Sequence, residues 1–131
     1  MKGLIIEQLL INSTPLNKIC ESDKLTSAVL FRIGLWKNKL DSIISVYLET
    51  KKKMITKFIE TDSNGNAISD DGGKTVKVKK ELIKEFNKEF EGLLNEELEL
   101  PNLVLKFSEL DQLRLTPNDV SFLSQLITFE E

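Results

Sequence analysis

The stretch that decides the fold covers residues 25–61 and reads LTSAVLFRIGLWKNKLDSIISVYLETKKKMITKFIET. Its large apolar residues recur in alternating steps of three and four, a spacing typical of one helix face that packs lengthwise against a partner. After Thr50 the repeat shifts by about one residue, as a stutter in a coiled coil does. The stretch therefore predicts one long helix, capped at Thr26 or Ser27, whose apolar seam comprises Val29, Ile33, Trp36, Leu40, Ile43, Tyr47, Met54, Ile55, Phe58 and Ile59.

A second amphipathic segment covers about residues 79–97, with apolar residues on one side and mostly Lys and Glu on the other. Residues 61–75 between the two segments are rich in Asp, Asn, Ser and Gly, which favour turns because they tolerate positive φ and hydrogen-bond their own backbone. We therefore predict a long antiparallel helical hairpin, coiled-coil-like, over about residues 26–97. Gly92 weakens the second helix relative to Ala, which indicates that another backbone approaches closely there.

The two segments carry opposite charge. Between residues 32 and 57 seven Lys or Arg oppose two acids, and between residues 81 and 99 seven Glu oppose two Lys. Pairing positions whose numbers sum to about 137 places Tyr47 beside Phe90, and Lys51 and Lys52 opposite Glu85. Each exposed ion pair contributes about 0–1 kcal/mol, against roughly 1.5–3 kcal/mol for each buried large apolar side chain. The apolar seam therefore holds the hairpin, and charge selects its register.

The ends of the chain supply short elements. A strand is predicted over about residues 2–6, and a short helix over 15–21 follows a cap at Ser13 or Thr14 with Pro15 in its first turn. The pattern at Val76 and Val78 fits a short strand and the first turn of a helix equally well. Alternating residues predict a strand over 103–107 and another around Leu113 and Leu115. Thr116, Pro117 and Asp119 predict a capped helix that continues to Ile127, and residues 129–131 are expected to be loose.

These elements predict one helix-dominated α+β domain over residues 1–131. The helical hairpin occupies about residues 26–97, and a small α/β base comes from residues 1–25 and 98–131. Strands from the N- and C-terminal segments are too few to stand alone, so we expect them to share one small sheet beside a short C-terminal helix.

Composition excludes several classes of protein. The net charge of −3 and the pI near 5.2 give no general attraction to nucleic acid. The first apolar run is interrupted by Glu7 and Gln8, and no run approaches the roughly 20 apolar residues of a membrane span, so we expect a soluble protein made in a cytoplasm. Cys20 is the single cysteine, which precludes an intrachain disulfide and favours a small half-buried apolar side chain over a reactive thiol.

The chain contains no histidine, which removes imidazole bases and the commonest zinc ligand. Glu109 and Asp111 are the carboxylates considered for catalysis, but a solvated surface role is favoured because no partner is recognisable. No phosphate-binding glycine motif occurs. We therefore expect no enzyme and assign no catalytic residue, no cofactor-binding residue, no metal ligand and no cofactor.

The polar turn partly matches the pattern of a calcium-binding loop. Gly65 in the sixth position places Glu60, Asp62 and Asn64 in the first, third and fifth, but Asp71 occupies the twelfth, where a bidentate Glu is expected. A plain polar turn is therefore favoured over a calcium site.

Two other features were weighed as binding sites. Lys51, Lys52, Lys53 and Lys57 could contact phosphates, but the aromatic platforms of nucleic-acid sites are missing, so a solvated or salt-bridged helix face is favoured. Trp36 lies on the apolar seam and is assigned to the core rather than to an interaction hot spot.

Five segments of the sequence stand out together: LTSA at 25–28, YLETKKKMI at 47–55, DSNG at 62–65, FNKEFEGLLNEE at 86–97 and LTP at 115–117. In these segments the chain resembles a family of short, uncharacterised proteins encoded by tailed bacteriophages and prophages. The longer turn at residues 67–74 departs from the family. The resemblance implies a phage origin, a location in the bacterial cytoplasm or in a virion, and a hairpin with a small sheet, and it carries no catalytic residues.

Two functions follow as hypotheses. The first is a non-enzymatic protein-interaction module, virion-associated or assembly-related, that binds copies of itself or a phage structural protein. The alternative is a phage accessory protein that binds and inhibits a host factor, in anti-defence or host takeover. A lysine-mediated nucleic-acid binder is a weaker third.

Overall fold

A computed structural model of the chain describes residues 1–59 and 78–131, which group into two compact units. Unit 1 comprises Met1–Ile44 and Glu97–Glu131, and unit 2 comprises Ser45–Glu96. Short 3-10 helices occupy Lys80–Leu82 and Phe107–Leu110. The other elements are α1 (Gly3–Ile11), α2 (Thr14–Cys20), α3 (Ser27–Phe58), α4 (Ile83–Asn95), β1 (Leu103–Lys106), α5 (Pro117–Leu123) and β2 (Ile127–Glu130). The predicted helix-dominated α+β class is confirmed, while the single-domain assignment stays a prediction.

The long helix is confirmed. Helix α3 has 32 residues and begins where the sequence placed its cap, since the Thr26 hydroxyl accepts a 3.4 Å hydrogen bond from the Val29 backbone N–H. The predicted seam is the inner face of the helix. Its members Val29, Ile33, Trp36, Leu40, Tyr47, Met54 and Phe58 are buried, and Ile43, Ile55 and Ile59 are half-buried.

The first half of the seam packs into the core of unit 1. Val29, Ile33, Trp36 and Leu40 join a cluster with side chains of α1, α2, α5 and both strands. The predicted hairpin assigned this half to the second helical segment. The core of unit 1 covers it because the short terminal elements bring enough large apolar side chains: Leu9, Leu16, Ile19, Leu25, Leu103, Leu105, Leu110, Leu123, Leu126 and Ile127.

The predicted N-terminal strand over residues 2–6 is wrong. Residues Gly3–Ile11 form α1, which buries Gly3, Ile6 and Leu9 at the three-residue spacing of a helix face. Only Lys2 pairs in the manner of a strand, through an isolated antiparallel bridge to Glu97. The Met1 carbonyl also accepts a 2.7 Å hydrogen bond from the Leu98 N–H. One bridge cannot sustain a strand, whereas the helix satisfies its backbone internally.

The sheet is therefore not shared between the two ends of the chain. Strands β1 and β2 pair in parallel, with Leu103 opposite Ile127 and Lys106 opposite Glu130. The predicted strand around Leu113 and Leu115 is irregular backbone. The final helix ends at Leu123 rather than at the predicted Ile127. Residues Ile127–Glu130 form β2, where the sequence predicted the end of that helix followed by a loose terminus. Tertiary pairing with β1 outweighs local helix preference here.

Two local predictions for short helices are confirmed. Helix α2 covers Thr14–Cys20, with Pro15 in its first turn. At the start of α5 the Thr116 hydroxyl accepts a 3.1 Å hydrogen bond from the Asp119 N–H, and the Asp119 carboxylate accepts a 3.0 Å bond from the Thr116 N–H. This reciprocal capping box fixes where the helix begins.

In unit 2, side chains of α3 and α4 meet near the C-terminal end of α3. The rings of Phe58 and Phe86 lie 5.8 Å apart in an edge-to-face arrangement. Lys51 Nζ lies 5.4 Å from the centre of the Phe90 ring, whereas the sequence predicted Tyr47, one helical turn before Lys51, beside Phe90. Residues 59 and 78 form an isolated antiparallel bridge. The predicted turn at 61–75, its calcium register and Val76 lie outside the described residues.

Candidate functional site

Glu109, a carboxylate considered for catalysis, is engaged in structural contacts. It accepts a 2.9 Å hydrogen bond from the Lys106 backbone N–H and pairs with the Arg32 guanidinium. The bond from Lys106 lowers the pKa of Glu109, Arg32 lowers it further, and burial opposes both. The carboxylate is therefore held ionised, and it ties the 3-10 helix after β1 to α3. Asp111 lies exposed in the turn that follows.

A second ion pair links α2 to the start of α5. Lys18 Nζ donates a 2.6 Å hydrogen bond to Asp119 Oδ2 and a 3.2 Å bond to the Arg114 carbonyl. The Lys18 bond, followed by the bond from the Thr116 N–H, lowers the pKa of Asp119. The sequence identified Asp119 as a cap but contained no local sign of Lys18, which lies 101 residues away.

The remaining candidates show little reactive character. Cys20 is half-buried, and burial raises the pKa of its thiol to about 11, against a smaller opposing effect of Lys37. Within residues 1–59 and 78–131, no group of three or more acidic or cysteine side chains is placed to hold a metal ion. Lys53 lies 3.7 Å from Glu49, which fits the salt-bridged helix face expected for the lysine run.

A groove between α3 and the start of β1 is the most suggestive feature of unit 1. This α3–β1 groove has a volume of about 570 Å³ and is lined by Arg32, Leu35, Trp36, Lys39, Pro101, Asn102, Leu103 and Val104. These lining residues supply no carboxylate, hydroxyl or thiol. The lining is mostly apolar, which suits the groove to contact with an apolar surface.

The floor and rim of the α3–β1 groove differ in character. Trp36 is 4% exposed, as its core assignment predicted, and among the described residues its buried indole N–H has no hydrogen-bond partner. Leu35 lines the groove and is 56% exposed, and Phe31, which lies one helical turn earlier on α3 and outside the lining, is 68% exposed. Arg32 is fixed beside them by a 3.1 Å hydrogen bond to the Val104 carbonyl. Large apolar side chains next to a concave apolar surface mark protein-binding sites.

Phe31 and Leu35 were not predicted as binding residues, because the apolar seam of α3 does not include them. Both residues lie off the seam, and they are four positions apart on a neighbouring face of the same helix. A pair of large apolar residues on the face that should be solvated was the available signal.

Comparison with known proteins assigns no family. No protein-family model, curated protein or solved structure matches the chain. Among the residues that the structure describes, no helix is long and apolar enough to cross a bilayer.

Proposed function

We propose that this chain is a non-enzymatic, phage-encoded protein-interaction module, associated with the virion or with its assembly. The observation that carries the proposal is the α3–β1 groove, in which Leu35 is exposed, together with the exposed Phe31 one helical turn earlier on α3. Burying two such side chains stabilises a complex by roughly 1.5–3 kcal/mol each, and a solvated position offers no comparable gain. The phage origin is supported by the quoted sequence segments alone.

The α3–β1 groove fits a partner segment that is apolar with an acidic flank. Leu35, Leu103 and Val104 offer the apolar contacts, and Lys39 lies exposed at the edge. Because Lys39 would meet an incoming carboxylate in a desolvated setting, it would favour partners with Asp or Glu beside their apolar anchor. Arg32, the other cation of the lining, is paired with Glu109, and Lys39 alone is too little charge to track a nucleic-acid backbone.

We also propose the antiparallel hairpin for unit 2. It is supported by the isolated antiparallel bridge between residues 59 and 78 and by the contacts of Phe58 with Phe86 and of Lys51 with Phe90. These contacts run backwards along α4 as α3 advances, as two antiparallel helices require. The predicted coiled-coil character is part of this proposal.

The test is a tagged capture from phage-infected cells with a matched variant pair. The double substitution Phe31→Ser and Leu35→Ser removes the apolar rim without touching the core, so the variant should fold normally and lose the partner. Val46→Ser, at an equally exposed apolar residue of α3 outside the groove, should retain it. Gradient-purified particles are examined in parallel for the protein in defined copy number.

The identity of the captured partner separates the two hypotheses. A phage structural or assembly protein supports the assembly role, whereas a host enzyme supports the alternative of an inhibitor of a host factor. Equal capture by the wild type and the rim variant would refute the α3–β1 groove as the binding surface. Absence of the protein from particles and from assembly intermediates would remove the virion-associated role.

A further inference from the structure

Helix α4 carries an apolar face that its own unit leaves half open. Phe86, Phe90, Leu93 and Leu94 are all only half-buried, Ile83 is 44% exposed, and no residue of α4 is buried. A helix whose apolar and charged faces are this sharply separated normally buries the apolar one. The described part of the chain does not complete that burial.

A groove runs beside this face in unit 2. It has a volume of about 600 Å³ and is lined by Thr50, Lys53, Met54, Lys57, Glu89, Gly92, Leu93 and Glu96. Met54 and Leu93 are its large apolar members. We name it the dipolar groove because both its cations belong to α3, whereas its carboxylates are Glu89 of α4 and Glu96, the residue that follows the last residue of α4.

Gly92 shows that the dipolar groove has room for another backbone. The sequence predicted close approach of a second backbone at this glycine, yet a Cβ built there meets nothing within 4 Å. Within residues 1–59 and 78–131, therefore, the predicted approach of a second backbone is not observed. Glycine also weakens the middle of a helix relative to alanine, so an external contact gives it a purpose.

The charge pattern identifies the occupant. A partner of either single sign would be attracted to one rim of the dipolar groove and repelled by the other. A second copy of the chain carries both rims, and a two-fold axis running along the helices sets the Lys53 and Lys57 rim of each copy against the Glu89 and Glu96 rim of the other. A two-fold axis across the helices would oppose like charges and is disfavoured.

We propose that two copies of unit 2 pack dipolar groove against dipolar groove, forming a symmetric dimer with four helices at its centre. Helix α3 of each copy lies against α4 of its partner, and Gly92 admits the facing backbone. This inference rests on the proposed function of protein interaction, but it uses residues other than those of the α3–β1 groove.

The test is sedimentation velocity of the full chain with charge-reversed variants. The wild type should sediment as a dimer. Lys53→Glu with Lys57→Glu, and separately Glu89→Lys with Glu96→Lys, should each raise the dimer dissociation constant at least about tenfold. An equimolar mixture of these two variants should restore a heterodimer, because each then meets rims of opposite sign.

Two controls separate the charge pattern from net charge and folding. Lys84→Glu with Lys88→Glu changes the net charge by the same amount as Lys53→Glu with Lys57→Glu, but at positions of α4 outside the dipolar groove. It should therefore leave the dimer dissociation constant within about threefold of wild type. Gly92→Leu should weaken the dimer while helical circular dichroism is unchanged, whereas Asn87→Leu, at an exposed position, should not.

The outcomes distinguish this inference from the proposed function. A monomeric wild type, or a variant mixture that stays monomeric, overturns the dimer. If that monomer still captures its partner through the α3–β1 groove, the proposed function stands without the dimer. A dimer that persists in the Phe31→Ser and Leu35→Ser variant while capture is lost supports both.

Discussion

Removal of the Asp119 carboxylate is the sharpest available test of how unit 1 is held together. Asp119 is buried, and its side chain accepts hydrogen bonds from Lys18 Nζ at 2.6 Å and from the Thr116 N–H at 3.0 Å. One carboxylate therefore caps α5 and joins it to α2. Asp119→Ala removes both contacts, whereas Asp119→Asn retains an acceptor for the cap and removes the charge.

The expected loss of stability follows from the two contacts. A helix cap contributes about 1 kcal/mol. A hydrogen bond between charged groups, such as that from Lys18 to Asp119, contributes about 1.5–3 kcal/mol. Because the Lys18 side chain is 33% exposed, solvent screening reduces the contribution of this bond to about 1 kcal/mol. We therefore expect Asp119→Ala to lower the free energy of unfolding by about 2 kcal/mol and Asp119→Asn by about 1 kcal/mol.

The assay is urea unfolding followed by tryptophan fluorescence. Trp36 is the single tryptophan and lies in the core of unit 1, so its emission reports on this unit. A double-mutant cycle that combines Asp119→Asn with Lys18→Met should give a coupling energy of about 0.5–1 kcal/mol between the two side chains. Asp111→Asn removes a carboxylate from an exposed position and should change stability by less than about 0.5 kcal/mol. Coupling indistinguishable from zero, or a control as damaging as Asp119→Asn, would refute the reasoning.

The same contact has a pH signature. Because the pKa of Asp119 in the folded chain lies below its ordinary value of 3.8, its contribution is complete above that pH. It is lost as the pH falls through the lower folded value. The difference in stability between wild type and Asp119→Asn should therefore be constant near neutral pH and shrink below about pH 4.

Three further predictions concern single sites. Leu40→Ala, at a fully buried position, should lower the free energy of unfolding by about 2–5 kcal/mol, whereas Leu35→Ala, at an exposed one, should change it by less than about 0.5 kcal/mol, both by urea titration. Cys20, with its thiol pKa raised to about 11, should react with iodoacetamide at pH 8 far more slowly than the unfolded chain, as mass spectrometry would show. Glu109→Gln should lower the free energy of unfolding by about 1 kcal/mol, and this loss should largely disappear when Arg32→Met is already present.

Local signals in the sequence predicted local structure well. The seam of α3 and the caps at Thr26 and Thr116 depend on residues within a turn or two of one another, so their spacing carries the information. The amphipathic pattern of α4 was likewise sufficient to locate that helix. In each case the physical cause acts over a few residues and is visible in a short window.

Elements that depend on distant partners were not predictable in this way. Helix α1 is apolar on nearly every side, so its nine residues lack the polar face by which a helix is recognised. Strand β2 exists because β1 lies ready to pair with it across the intervening 3-10 helix and α5. The ion pair of Arg32 with Glu109 connects residues 77 positions apart and leaves no local trace.

The candidate sites show the same division between a face and what covers it. The seam of α3 is apolar before and after the shift at Thr50, yet Leu40 is covered by the terminal elements of unit 1 while Phe58 meets α4. Periodicity therefore identifies a buried face without identifying its partner. The same holds for Leu35 and Leu93, which each line a groove. Both residues are large and apolar, and only the side chains beside them indicate what kind of partner would cover them. Around Leu93 the cations lie on α3, and the carboxylates lie on α4 and at the residue after it, which is the reason for proposing an occupant that itself carries both charges.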